Sequence, residues 1–348
     1  MGFDVATFFH LLEGKGRFAD LWDTTSIPRD DVSSTGAPRI GARSLDAAGG
    51  LGLVLHYLGS AVLEVGLQQI FAIVPSVLSR YLDFGMDILL RVLRQIPEGR
   101  IRLPQTPGEF ASNSNIITSR HSMLEGAFGS IDGLSLAVQT SDDPETENAT
   151  YNGWKLDHRI NNVLVFSPEG TIIDAVLNAP GSWHDSNVAR PIFERLHTRV
   201  PNGYFLVADT AFPRGSSSIA GKIRAPLKSG GRLTDTQAER DMALRFNRQL
   251  LSYRQTAEWG MRTIQGSFGR LCVPLDVNSP RKRKRLLENC SRLFNVRARC
   301  VGINQIKSVY VPIWRATEDE ALWEELGNTL FGEIRKRDRV ARFHLVTV

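Results

Sequence analysis

Apolar residues recur at three- and four-residue steps from Ser44 to about Gln95, the spacing that lines one face of an α-helix. SLDAAGGLGLVLHYLGS reads as one helix after a Ser44 cap and VLEVGLQQIFAI as a second. Pro75 opens a third, PSVLSRYLDFGMDILLRVLRQI. Together they predict a helical bundle over 44–104. It fits a helix-turn-helix unit whose last helix enters a major groove, and equally a plain packing bundle. Residues 15–45 hold Gly, Pro, Ser, Thr and Asp without a period, so 1–43 is expected to be an irregular lead-in.

Beyond Pro104 and Pro107 the pattern changes. EGAFGSIDG (125–133) holds a short apolar run that ends in Asp132. NNVLVFSPEG and TIIDAVLNAPG read as two strands joined by the turn Ser167–Gly170, and YFLVADTAFP (204–213) as a buried strand with Asp209 near its end. DSNVARPIFERLHTRV (185–200) is amphipathic, and 234–271 is a long helical stretch opened by Thr234 and Gln237 as a capping box. An acid-rich loop spans 141–150 between the first two strands. Strands first, then strand alternating with helix, predict an α/β layer around a mixed sheet. Residues 306–348 are left as a C-terminal tail.

Composition narrows the class. The chain has 348 residues, 42% hydrophobic and 23% charged, with three Cys and no CxxC pair. That is ordinary globular composition, and it predicts free thiols in a reducing compartment. MGFDVATFFHLLEGKG has no basic segment before its apolar run, unlike a secretory signal. The apolar stretch 49–74 is broken by His56, Ser60, Glu64, Gln68 and Gln69, so packed helices are expected there, not a membrane span. The formal net charge of +5 is local: residues 281–300 carry eight Lys/Arg and one acid, a net +7, leaving −2 elsewhere. Its run Arg281, Lys282, Arg283, Lys284, Arg285 suits a phosphate backbone or an import receptor, and equally a solvated helix start.

Asp132 and Asp209 each end an apolar run, and a carboxylate at the end of a buried strand needs a counter-charge. Glu258 lies in the long helix beside Ala257 and Trp259, and Asp185 follows His184 after a Gly-Ser turn. Carboxylates from two strands and a helix are the donor type that Mg²⁺ takes in phosphoryl chemistry. His184 can orient Asp185, bind a metal, move a proton, or simply bond the backbone of its turn. No HExxH, GxSxG, Walker loop or GxGxxG occurs, which argues against zinc hydrolase, serine hydrolase, ATPase and dinucleotide chemistry.

GSIDG (129–133), YNGWK (151–155), PGSWHDS (180–186), LVADTAFP (206–213) and FNRQLLSYRQTAEWGMRTIQGSFGRL (246–271) together resemble the DDE endonuclease domain of Harbinger-type transposases, over roughly 125–305. The resemblance implies an RNase H-like mixed sheet flanked by helices, with an N-terminal helix-turn-helix-like unit. It implies Asp132, Asp209 and Glu258 as catalytic ligands of Mg²⁺ or Mn²⁺, Asp185 as a further metal ligand, and hydrolysis or transfer of DNA phosphodiesters. Arg254 matches the family's arginine one turn before the closing glutamate, where it pairs with Glu258 or contacts a DNA phosphate. The family plan further implies a nuclear protein with a Myb-like DNA-binding partner, the cytoplasm being the alternative location, and leaves a homo-oligomer open. The acidic SDDPETENAT stretch departs from the family pattern. The alternative is a retired transposase that binds DNA or acts as a scaffold, its acids being leftovers.

Overall fold

The structure, a computed structural model, describes residues 2–28, 38–213, 219, 221–227, 236–302 and 304–310. Thr234 of the expected capping box and the tail beyond Tyr310 lie outside the described residues. Six helices come first: α1 (Val5–Leu12), α2 (Phe18–Thr24), α3 (Ala47–Gly59), α4 (Glu64–Phe71), α5 (Pro75–Gln95) and α6 (Pro107–Thr118). There follow β1 (Ala127–Ala137), α7 (Pro144–Thr150), β2 (Tyr151–Asn152), β3 (Asp157–Phe166), β4 (Ile172–Pro180), α8 (Asp185–Val188), α9 (Arg190–Arg199), β5 (Phe205–Ala208) and β6 (Ile223–Arg224). The chain closes with α10 (Gln237–Ser267), α11 (Pro280–Val296) and α12 (Gln305–Tyr310).

The sheet is mixed. β4, β3 and β1 are antiparallel neighbours, and β5 then β6 continue from β1 in parallel, while β2 forms a short hairpin with the start of β3. Its two faces have separate cores. Phe128, Ile131, Val163 and Val165 pack with Ile192 and Leu196 of α9. Leu134, Leu136, Leu164 and Phe166 face Tyr253 and Ile264 of α10, Leu293 of α11, and the N-terminal Leu51, Leu89 and Trp22 in one continuous cluster. Each such side chain contributes about 1.5–3 kcal/mol on burial. Apolar packing therefore ties the N-terminal helices to the sheet through α11.

Several expectations are corrected. The lead-in is not wholly irregular: the Asp4 carboxylate caps α1 by accepting the Thr7 N–H at 2.8 Å, and α2 buries Phe18 and Trp22 with stacked rings 5.6 Å apart. Asp46, not Ser44, caps α3, accepting the Gly49 N–H at 2.7 Å, while the Ser44 N–H donates to the Tyr81 hydroxyl. The acidic stretch is not a loop either. Asp143 caps α7, and Glu147 reaches His158 at 2.8 Å. Finally, α5 is no free recognition helix. It buries eleven of its 21 residues and packs against α2, α3, α4 and α11.

The basic run opens α11, and helical periodicity splits it. Arg281, Lys282 and Lys284 are exposed, whereas Arg283 is 8% exposed and donates to the carbonyls of Asp276 and Val277 and to Asn178 Oδ1. Arg285 bridges Asp83 and Asp87 of α5, and Lys282 reaches Asp83 at 3.5 Å. Arg283 and Arg285 are thus structural cations, correcting their reading as phosphate contacts. Farther along α11, Asn295 accepts the Ile172 N–H at 2.7 Å and donates to the Ile172 carbonyl at 2.8 Å, completing the pairing of the first residue of edge strand β4. No helix among the described residues is long and apolar enough to cross a membrane. Cys272, Cys290 and Cys300 are free.

Candidate active site

Four elements supply the acids. Asp132 lies within β1, opposite Leu164 of β3, and not at a strand end as its apolar run implied. The strand continues because GLSLA after Asp132 alternates apolar and small residues, a period-two pattern. Asp209 does follow the last residue of β5, at the position where a parallel strand leaves the sheet. Since β5 lies beside β1, with Ile131 opposite Ala208, Asp132 and Asp209 emerge from adjacent strands. Asp185 is the first residue of α8, and Glu258 lies on α10. The serine–threonine bond Ser130 Oγ to Thr256 Oγ1, 2.8 Å, fixes α10 on β1 two residues from Asp132 and two from Glu258. Gly260 lets α10 lie close to β3, because a β-carbon there would stand 2.6 Å from the Phe166 ring.

Asp132 is hemmed in. Gly133 N–H donates to its Oδ1 at 2.8 Å, and a β-carbon at Gly133 would stand 2.6 Å from Asp185 Cγ. The missing side chain of Gly133 therefore gives Asp185 its place next to β1, 52 residues away in sequence. Desolvation lifts the Asp132 pKa to about 6; the Gly133 hydrogen bond and Arg254 oppose the rise, and the charges of Asp209 and Asp185 add to it. Desolvation also raises Asp185, opposed by His184 and Lys155 and reinforced by Asp209. The three aspartates thus sit within one another's fields.

Arg254 answers part of that charge. Its Nη1 is 3.4 Å from Asp209 and its Nη2 donates to Glu258 at 2.8 Å, one helical turn on. Its Nε is buried without a hydrogen-bond partner, a donor left over for an incoming acceptor. His184 caps α8 and bonds Ser186, so its ring is engaged in the turn. Lys155 was not singled out as a site residue from the sequence. It is the cation of YNGWK, its pKa lowered by burial, and its charge acts on Asp185 across 30 residues of chain.

The donor set is chemically right for a hard divalent cation: carboxylates on or next to two strands and on two helices, one of them holding its proton unusually tightly because burial desolvates it. As the side chains stand, no group of three or more His, Cys, Asp or Glu among the described residues is gathered closely enough to hold a metal ion. Arg254, bridging Asp209 and Glu258, supplies positive charge where their mutual repulsion would otherwise go unanswered.

Residues 131–295 match the family model described as DDE superfamily endonuclease. The matched segment begins one residue before Asp132, ends within α11, and takes in Asp185, Asp209, Arg254 and Glu258. It covers every strand from β2 to β6 and most of β1, so the match and the mixed sheet describe the same part of the molecule. No curated protein and no solved structure matches the chain.

Proposed function

We propose that this protein is a divalent-metal-dependent DNA endonuclease of transposase type, acting through Asp132, Asp185, Asp209 and Glu258. The observation that carries the reading is the mutual field of Asp132, Asp185 and Asp209, with Arg254 spanning Asp209 and Glu258, inside a segment that matches DDE endonucleases. Three antiparallel strands continued by two parallel ones support an RNase H-like sheet beneath it. The four carboxylates would hold Mg²⁺ or Mn²⁺; when bound, the cation polarises a phosphodiester and lowers the pKa of water. The chain's own residues do the rest. Asp132 and Asp185 bring the negative charge that draws the cation, and Gly133 keeps Asp185 against β1. Arg254 is placed to exchange a carboxylate for a phosphate oxygen through its fork of donors. The Harbinger subtype, nuclear location and Myb-like partner rest on the sequence resemblance, and the last two belong to the same proposal.

The test is nicking of supercoiled DNA with Mg²⁺ or Mn²⁺. Asp132→Asn, Asp209→Asn and Glu258→Gln should each lower the rate at least about a hundredfold with the fold retained, the scale of losing a group that acts in the transition state. Cleavage surviving all three substitutions would end the proposal. One observation favours a second reading, a catalytically silent DNA-binding protein: the carboxylates are not gathered into a ligand cluster. That reading predicts salt-dependent DNA binding, no cleavage by the unaltered protein, and no upward shift of Tm with Mn²⁺.

A further inference from the structure

Beside the acids lies a patch of aromatic side chains that the carboxylate chemistry does not use. Trp154 is 94% exposed, Trp183 51% and Tyr151 43%. Scattered exposed apolar residues are ordinary, but these belong to two loops locked together. Asn152 builds the first. Its Oδ1 accepts the N–H groups of Trp154 and Lys155 at 3.2 and 3.0 Å, and its carbonyl accepts those of Lys155 and Leu156. Leu156 closes the turn at φ +53°, a left-handed conformation that only a well-fixed loop holds a leucine in.

The second loop is pinned to the first. Asn152 Nδ2 donates to the Gly181 carbonyl at 2.8 Å, and buried Asn161 donates to the carbonyls of Gly181 and Trp183. Ser182 N–H donates to the Ala149 carbonyl at 3.1 Å. Gly181 permits this approach, because a β-carbon there would stand 2.5 Å from the Thr150 carbonyl oxygen. The backbone is thus rigid while the indoles stay in water. Trp183 is two residues from Asp185, and Lys155, next to Trp154, acts electrostatically on that same Asp185. Whatever covers the aromatics must be continuous with what the acids bind, and must tolerate a cation at its edge. An unpaired nucleobase meets both conditions, offering a flat π-face on an anionic backbone.

We propose that Trp154 and Trp183 form a stacking platform for an unpaired base flanking the phosphodiester presented to Asp132, Asp185 and Asp209. The proposal rests on the DNA-cleavage reading and specifies its substrate: duplex opened or frayed next to the scissile bond, since a base inside a fully paired helix cannot reach the indoles.

The experiment uses the full chain carrying Asp132→Asn, so that DNA stays intact, without added metal. Two 2-aminopurine oligonucleotides are compared, one fully paired and one with the probe base in a short mismatch. The prediction is at least about fivefold tighter binding of the mismatched probe, the lower end of one base–aromatic stack, with 2-aminopurine fluorescence quenched. Trp154→Ala with Trp183→Ala should reduce that preference to near unity while affinity for paired DNA changes less than about twofold, and Trp154→Phe with Trp183→Phe should keep most of it. A preference undiminished in the double alanine variant overturns the platform. So does a protein with intact tryptophans that binds both probes equally; this outcome needs no variant to fold and leaves the cleavage reading standing. A protein that binds neither probe removes the DNA reading and the platform with it.

Discussion

Asp132 holds its proton up to a pKa of about 6, against 3.8 for an unperturbed aspartate, because protein surrounds the carboxyl and two further aspartates face it. The folded state therefore binds that proton more tightly than the unfolded chain. Stability from this group is fully present below about pH 4 and declines as pH rises through the interval from about 4 to 6. At neutral pH the deficit is about 1–2 kcal/mol after allowance for solvent screening. Asp132→Asn removes the titration, so its Tm should exceed that of the unaltered protein by about 1–3 °C at pH 7.5, with the gain fading at pH 4. Melting curves at the two pH values check this, and an equal Tm at pH 7.5 would show that Asp132 is not strained. Gly133→Ala probes the same crowding from the other side. Its methyl would drive Asp185 away from β1, so cleavage should fall at least about tenfold while Asp185 itself is unaltered.

On the scale of elements, α11 shows what a run of like charges conceals. RKRKR looks uniform in one dimension, yet helical geometry turns Arg283 into the body of the protein and Arg285 onto Asp83 and Asp87 of α5. Arg283→Met strands two carbonyls and Asn178 Oδ1 and should lower stability by about 2–4 kcal/mol in urea unfolding. Arg281→Ala and Lys284→Ala should change it by less than about 0.5 kcal/mol, while each lowers the salt dependence of DNA binding by about one ion. If Arg283→Met unfolds at the same urea concentration as the parent, its buried bonds carry nothing.

The same contrast marks how much was legible in the chain. Strands β3, β4 and β5 and helix α10 followed from apolar runs and periodicity, which local residues determine. Helix α2 was hidden because Phe18 and Trp22 are its two buried residues and the segment after them is Pro- and Ser-rich. Helix α6 was hidden by its Asn and Ser content. The acids were visible as residue types. That Asp185 lies against Gly133, or that Arg254 spans Asp209 and Glu258, depends on contacts between distant segments, and no local pattern encodes them.

Across the whole molecule, the helical N-terminus and the sheet segment share one hydrophobic core, and the separation into two modules expected from the sequence has no counterpart in the packing. Leu51, Leu89 and Val92 belong to the same cluster as Leu164, Leu287 and Leu293. Arg94 pairs bidentately with Glu288 at 2.7 and 2.8 Å, Asn289 donates to the Met86 carbonyl, and Arg292 donates to the carbonyl of Gly99. Removing residues 1–104 would uncover the α5-facing side of α11, leave Arg285 without Asp83 and Asp87, take Arg94 from Glu288, and expose a contiguous apolar surface. A fragment spanning 105–310 should therefore be insoluble or bind the dye ANS strongly, and lose protection of α11 amides from hydrogen exchange. A soluble fragment with protected α11 amides would show that the sheet and its helices fold alone. With the shared core, by contrast, substitutions on α5 such as Asp83→Ala reach the sheet through α11, and should lower its melting temperature together with that of the bundle in a single transition.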